Sequence, residues 1–311
     1  NYWGFDGAIS LNPLGIDARG EGIKYYYPAD GESGDSFLRI QTIEVDLVIP
    51  GSADPESALA IIHGMLSIPE PGESQEYYGE ISIDLPQIKV SGGAAMKLQP
   101  KPPAFIIDAY VNLPGPIPIG PVGIYGFRGL MGFRYVAEKE AIGTGEDTWY
   151  DYYVYPPKGI HVTKFTGPDR SKDYDPAFSL GVGATLGTSF DNGMIVSLRA
   201  MVLFSFPTAF ILDFGLTFIS KRLGLIEDDP RNPPFFAFIA LGDNSLEFGL
   251  GADFQLPDNG SILDLQARIE AGFFFKNQRP WYVNFGTRET PVTATLFKDI
   301  LNITVTSYLM I

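Results

Sequence analysis

The chain has 311 residues with 22 basic and 37 acidic side chains, a formal charge of −15, and no cysteine. That balance opposes binding to nucleic acid, whose phosphates demand a basic surface, and the densest basic run, Ser220-Lys221-Arg222, is far too short. Without cysteine there is no disulfide framework, thiolate zinc site or cysteine nucleophile, while 35 Gly and 25 Pro beside 45% hydrophobic residues suit many short strands joined by tight turns.

Residues 1–27 read as two or three strands punctuated by Gly4, Gly7, Gly15, Gly20 and Gly22. A polar turn follows, in which Asp30, Glu32 and Asp35 are candidate oxygen ligands for calcium. Phe37 to Ile49 is a strand with Ile43, Val45, Leu47 and Ile49 on one face and Glu44 and Asp46 on the other. Asp54-Pro55-Glu56 resembles a helix start that Gly64 would end, yet Leu59 to Ile68 also reads as a strand, and the two readings stay level. Tyr78 to Leu85 and Ile88 to Leu98 are further strands.

From Pro114 to Tyr135 glycines recur every third residue at 120, 123, 126, 129 and 132, a spacing that matches neither strand nor helix. The expectation is a glycine-rich connection whose small residues let the backbone pass close to a sheet; an apolar loop inserted in a membrane or partner, flanked by Arg128 and Arg134, is the functional alternative. This stretch, with Arg134-Tyr135-Val136-Ala137-Glu138-Lys139, resembles very large, repetitive, uncharacterised microbial β-rich proteins. The resemblance covers about a third of the chain and implies a segment of a giant polypeptide, with no activity attached. Residues 143–177 shift to tyrosines and charges and divide an N-terminal half, 1–142, from a C-terminal half, 178–311, unless all three form one continuous domain.

The C-terminal half carries an internal echo. Ser179 to Phe206 and Ser245 to Phe273 share Ser-Leu openings, a glycine four residues on and an Asp-Asn-Gly turn, Asp191-Asn192-Gly193 in one and Asp258-Asn259-Gly260 in the other. Asn-Gly accepts the positive φ that a two-residue hairpin requires, so these six residues are assigned to backbone geometry. Around the first turn Phe178, Leu180, Val182, Ala184 and Leu186 alternate with Ser179, Gly181, Gly183, Thr185 and Gly187, giving one apolar face and one small or polar face. Pro103 to Asp108 echoes Thr208 to Asp213 as a looser third copy. Near the end, Thr290-Pro291 is expected to cap a short helix pairing Leu296 with Ile300 and Phe297 with Leu301.

The fold class expected is all-β: an antiparallel meander of repeated hairpins in a large curved or partly closed sheet, with at most one or two short helices. The chain opens on Asn1 without a leader and closes on an apolar strand, so both ends are expected to be cuts from a longer polypeptide or strands completed by a neighbour. His63 and His161 sit in no metal or triad frame, and no phosphate cradle precedes a helix, so no cofactor and no catalytic residue is expected. Asp169, Asp173 and Asp175, and Glu227, Asp228 and Asp229, are further calcium candidates; Trp149 to Tyr155 is a candidate sugar-stacking or interfacial strand.

Four functions remain open. A non-enzymatic structural or interaction module, partnered by other segments or copies of the same protein, leads. A β-groove for lipid or another apolar ligand, an outer-membrane β-barrel and a carbohydrate-active enzyme follow, with a leaning toward the cell envelope or the extracellular space.

Overall fold

The structure is a computed structural model that describes residues 2–11, 15–27, 36–51, 54–69, 76–137, 160–168, 177–207, 209–225, 233–242, 245–257, 259–275 and 281–311. It is all-β, and its only helical pieces among these residues are single 3-10 turns at Pro86–Ile88 and Val162–Lys164. Asp30, Glu32, Asp35, Asp258, the two further acidic trios and the Trp149 to Tyr155 segment lie outside the described residues.

One sheet of nineteen strands contains nearly everything. Its N-terminal part comprises β1 (Tyr2–Leu11), β2 (Ile16–Tyr26), β3 (Phe37–Arg39), β4 (Thr42–Ile49), β5 (Ala60–Ser67), β6 (Tyr77–Leu85), β7 (Val90–Gln99), β8 (Ala104–Ile119) and β9 (Val122–Phe133). A small pair, β10 (Val136–Ala137) and β11 (Phe165–Thr166), stands apart as its own two-stranded sheet. The main sheet resumes with β12 (Phe178–Thr188), β13 (Val196–Phe206), β14 (Ala209–Phe218), β15 (Phe235–Gly242), β16 (Ser245–Leu256) and β17 (Leu263–Phe274). It ends with β18 (Trp281–Phe285), β19 (Val292–Leu296), β20 (Ile303–Ser307) and β21 (Leu309–Met310).

Every pairing is antiparallel and almost all join sequence neighbours. The exception is β9 with β12, which pair from Phe133–Phe178 to Val122–Thr188, so the sheet runs unbroken past the intervening segment. β3 and β4 both pair with β2, β18 and β19 both with β17, and β20 and β21 continue that last position. Merging those three pairs reduces nineteen strands to sixteen, with β1 at one free edge and β20–β21 at the other; the sheet is not closed.

Three local expectations are corrected. The Asp54 segment makes one turn, with Ala58 N–H donating to Asp54 O at 3.0 Å, and then enters β5, so the strand reading of this stretch holds and the helix reading does not. The segment after Pro291 is not helical: Val292, Ala294 and Leu296 alternate with Thr293 and Thr295, a period of two, and pair as β19 with both β17 and β20. The glycine-rich stretch is no connection but the long strands β8 and β9 in mid-sheet. Its glycines admit close packing, since a Cβ on Gly126 would meet Leu225 Cδ1 at 2.8 Å and one on Gly123 would meet Pro116 Cβ at 2.2 Å.

The Asp-Asn-Gly turns are also longer than a two-residue hairpin. The first spans Ser189 to Ile195, with Gly193 N–H closing on Thr188 O at 2.8 Å, Asn192 at φ 60° and Gly193 at φ 79°. Asp191 organises it: its carboxylate accepts from Gly193 N at 3.1 Å, Ile195 N at 2.6 Å and the Thr188 hydroxyl. These bonds hold the Asp191 carboxyl below its usual range against a small opposing desolvation. Gly193→Ala forces a side chain into left-handed backbone and against Arg222, so it is expected to cost about 1 kcal/mol or more, whereas Asn192→Gly is expected to be near neutral; urea unfolding of the two variants checks this.

Candidate functional site

The register of this meander sorts side chains into two faces of opposite chemistry. One row of directly paired residues reads Ala18, Val45, Gly64, Ile81, Ala94, Ala109, Gly129, Val182, Val202, Leu212, Ile239, Phe248, Ala271 and Val283 from β2 to β18. The row two residues along each strand holds Ile16, Leu47, Ile62, Ile83, Gly92, Val111, Phe127, Ala184, Ala200, Phe214, Ala237, Leu250, Ile269 and Phe285. Neither row contains a charge, hydroxyl or amide. Val182 is 70% exposed and Leu250 51%, and much of the rest is half-exposed.

At one place on this face Ala237, Ala252 and Ala267 stand among larger neighbours. A cavity of about 400 Å³ results, walled by Leu198, Phe214, Leu216, Phe235, Leu250 and Ile269 from the five strands β13 to β17. At one rim Phe105, Phe133, Phe178 and Phe206 pair in a continuous aromatic row over four strands.

Between the apolar rows lies a row of the other face: Asp17, Asp46, His63, Ser82, Gly93, Tyr110, Arg128, Gly183, Met201, Asp213, Phe238, Gly249, Glu270 and Asn284. From β8 onward its polar members are buried, because the chain folds back over them. Tyr135 to Ala137 and Ile160 to Pro168, parts of the insertion between β9 and β12, form with inward side chains of β8, β9, β13, β14 and β15 the apolar cluster around Tyr135, Ile160, Val162 and Phe165.

Polar anchors hold this covering segment in place. Arg128 donates to both oxygens of Asp108, at 2.9 and 3.1 Å from Nε, and its Nη2 bonds the same carboxylate and the Ile160 carbonyl. Lys97 Nζ donates to Phe165 O at 3.2 Å and pairs with Glu76 at 3.1 Å, and Glu76 in turn accepts the Tyr135 hydroxyl at 2.8 Å. Ser179 and Ser205 bond each other at 2.9 Å while reaching Tyr135 O and Ala137 N. A second strap, Leu223 to Leu225, bonds Ser197 Oγ at 2.8 Å and Asn112 Oδ1 at 3.3 Å.

Lys164 is buried within the strap, and burial pushes its ammonium down to about 8, with the Asp213 carboxylate opposing the fall. Its folded value therefore lies below the unfolded value of about 10.4, so the unfolded chain binds more protons between these limits and stability rises with pH there. The gain expected between pH 8 and 10.5 is about 2–3 kcal/mol, and it should vanish in Lys164→Met; chemical unfolding across this range measures both slopes.

The sequence-expected residues are thus dispersed. Asp191, Asn192 and Gly193 occupy a loop at one rim, and Asn259 and Gly260 (φ 69°) another. The two histidines, which sequence spacing left unrelated, line one cavity of about 340 Å³ on the polar face with Glu80, Ser82 and Tyr110. Among the described residues no three His, Asp or Glu side chains stand close enough to hold a metal ion. The charge-free face itself was only half legible beforehand, since alternation within a strand shows one column and only register assembles the columns into a surface.

No family model, curated protein or solved structure matches the chain.

Proposed function

We propose that this protein binds hydrocarbon chains of lipids along its exposed apolar sheet face. The observation that carries the reading is the pair of uninterrupted apolar rows crossing fourteen strands opposite a face that the chain has already covered with its own straps. Monomeric proteins rarely expose contiguous apolar patches beyond a few hundred Å² without a function for them. A face without a single hydrogen-bonding side chain suits an occupant that has none, and an acyl chain is such an occupant. The apolar cavity over β13–β17 falls in the size range of small-molecule sites and supplies a place where binding begins.

The second reading is a membrane-spanning β-wall. Sixteen strand positions, an even number, and the aromatic row at one rim favour it. Against it stand the two unpaired edges, whose free N–H and C=O groups are costly in hydrocarbon.

One experiment separates them. Protein purified without detergent should take up a fluorescent fatty acid saturably and release lipid detectable by native mass spectrometry. A protein that stays in solution only in detergent, and that resists carbonate extraction from vesicles, supports the membrane wall instead. A detergent-free protein that takes up no fatty acid overturns the proposal.

A further inference from the structure

The cavity on the opposite face gathers a set of groups with a definite chemical bias. Its walls bring Glu80 and Ser82 of β6, Tyr110 of β8 and His63 of β5 against His161 of the covering strap. His63 Nδ1 is tied to Asp46 Oδ1 at 2.7 Å. His161 Nδ1 accepts from Thr163 N at 3.3 Å and contacts the Thr163 hydroxyl at 2.9 Å, so the proton of its neutral ring resides on Nε2. Burial, reinforced by the Arg128 charge, lowers the basicity of this ring and keeps it neutral.

The charges around the cavity are balanced except at one point. Arg128 is matched by Asp108, and Lys164 faces Asp213. Among the described residues Glu80 is bonded by the Tyr78 hydroxyl alone, at 2.6 Å, and no cation stands within pairing distance of it. A half-buried carboxylate without a counter-charge is left wanting a cation or several donors. The Ser82 and Tyr110 oxygens add acceptors, and the Tyr110 ring adds a face on which positive charge is favourable.

We infer that this cavity is a binding site for a small organic ammonium ion, with Glu80 as its counter-charge and the two histidines and Tyr110 as its walls. An ammonium group presents three donors and one positive charge, which answers the acceptors and the unbalanced carboxylate together. An anion meets Glu80 unfavourably, and a neutral alcohol leaves its charge unmatched. The site is on the face away from the proposed lipid surface, so the two proposals stand or fall separately.

The chain has only two histidines, which makes the test direct. Imidazole NMR signals of the full chain are followed during titration with ethylammonium chloride at constant ionic strength, with ethanol and sodium acetate as controls. The expected result is a saturable movement of both histidines together, half complete at roughly millimolar concentration for so small a ligand. Ethanol and acetate should produce none, and Glu80→Gln should weaken the response at least tenfold while leaving the free spectrum otherwise unchanged. A linear response without saturation, movement of one histidine alone, an equal response to ethanol, or an unaltered titration in Glu80→Gln overturns the inference.

Discussion

Replacing Arg128 with methionine is expected to destabilise the fold by about 3–5 kcal/mol, the largest effect of any single change considered. Arg128 and Asp108 are 6% and 2% exposed, and the guanidinium also holds the Ile160 carbonyl, so its removal strands a buried carboxylate and unfastens the covering strap at once. Lys97→Met, which removes a part-buried anchor of the same strap, should cost distinctly less. The double change Asp108→Asn with Arg128→Met should recover a good part of the loss, because the expense of the single change is an unpaired charge rather than a missing attraction. Equilibrium unfolding in urea with two probes, one reporting the sheet and one the strap, checks both statements. If Arg128→Met and the double variant are equally destabilised, the ion pair is not what holds the strap.

Leu250→Glu is expected to lower fatty-acid affinity by more than tenfold, that is by more than about 1.4 kcal/mol. Leu250 lines the apolar cavity and pairs with Ala237 and Ile269 in an unbroken apolar row, so a carboxylate there loses its water when an acyl chain covers it. Its cost to folding should stay near 1 kcal/mol, since the position is half-exposed and a strand tolerates the exchange at the scale of β-propensity. Asp84→Asn, an exposed change on the polar face, is the matched control and should leave uptake unaltered. The readout is displacement of a fluorescent fatty acid, with circular dichroism confirming that both variants fold. Unchanged uptake in Leu250→Glu would exclude this cavity as the point of entry.

How far the sequence disclosed this arrangement depended on which physical signal each segment carried. The alternation from Phe178 to Phe190 states which side of β12 is apolar, and the structure agrees. In β9 the same signal is obscured. A register shift where Thr185 and Leu186 meet Gly126 and Ile124 reverses the phase midway, so that glycines at every third position fall on the covered face at 123, 126 and 132 and on the apolar face at 129. Phe297 and Ile300 looked helical because three-residue spacing occurs equally in a single turn, and one turn is what they form.

The candidate sites were less legible for a different reason. The apolar cavity needs the register of five strands, and the polar cavity needs His161 to be laid over β5 to β8 by an insertion whose docking rests on Arg128, Lys97 and two serines. None of these contacts is local in sequence. Residue types alone, two histidines and a glutamate among many acids, carried no hint of convergence.

The plain neighbour-to-neighbour order of the sheet also sets how its capacity scales. Each strand adds about 4.8 Å of width whatever its distance from the others, and contacts reach little beyond the next strand. Duplicating a hairpin therefore lengthens the hydrocarbon-facing strip in proportion without altering its cross-section, as adding slats lengthens a roller blind. Lipid stoichiometry should then be an extensive quantity, rising linearly with strand number, while the affinity of each chain stays constant.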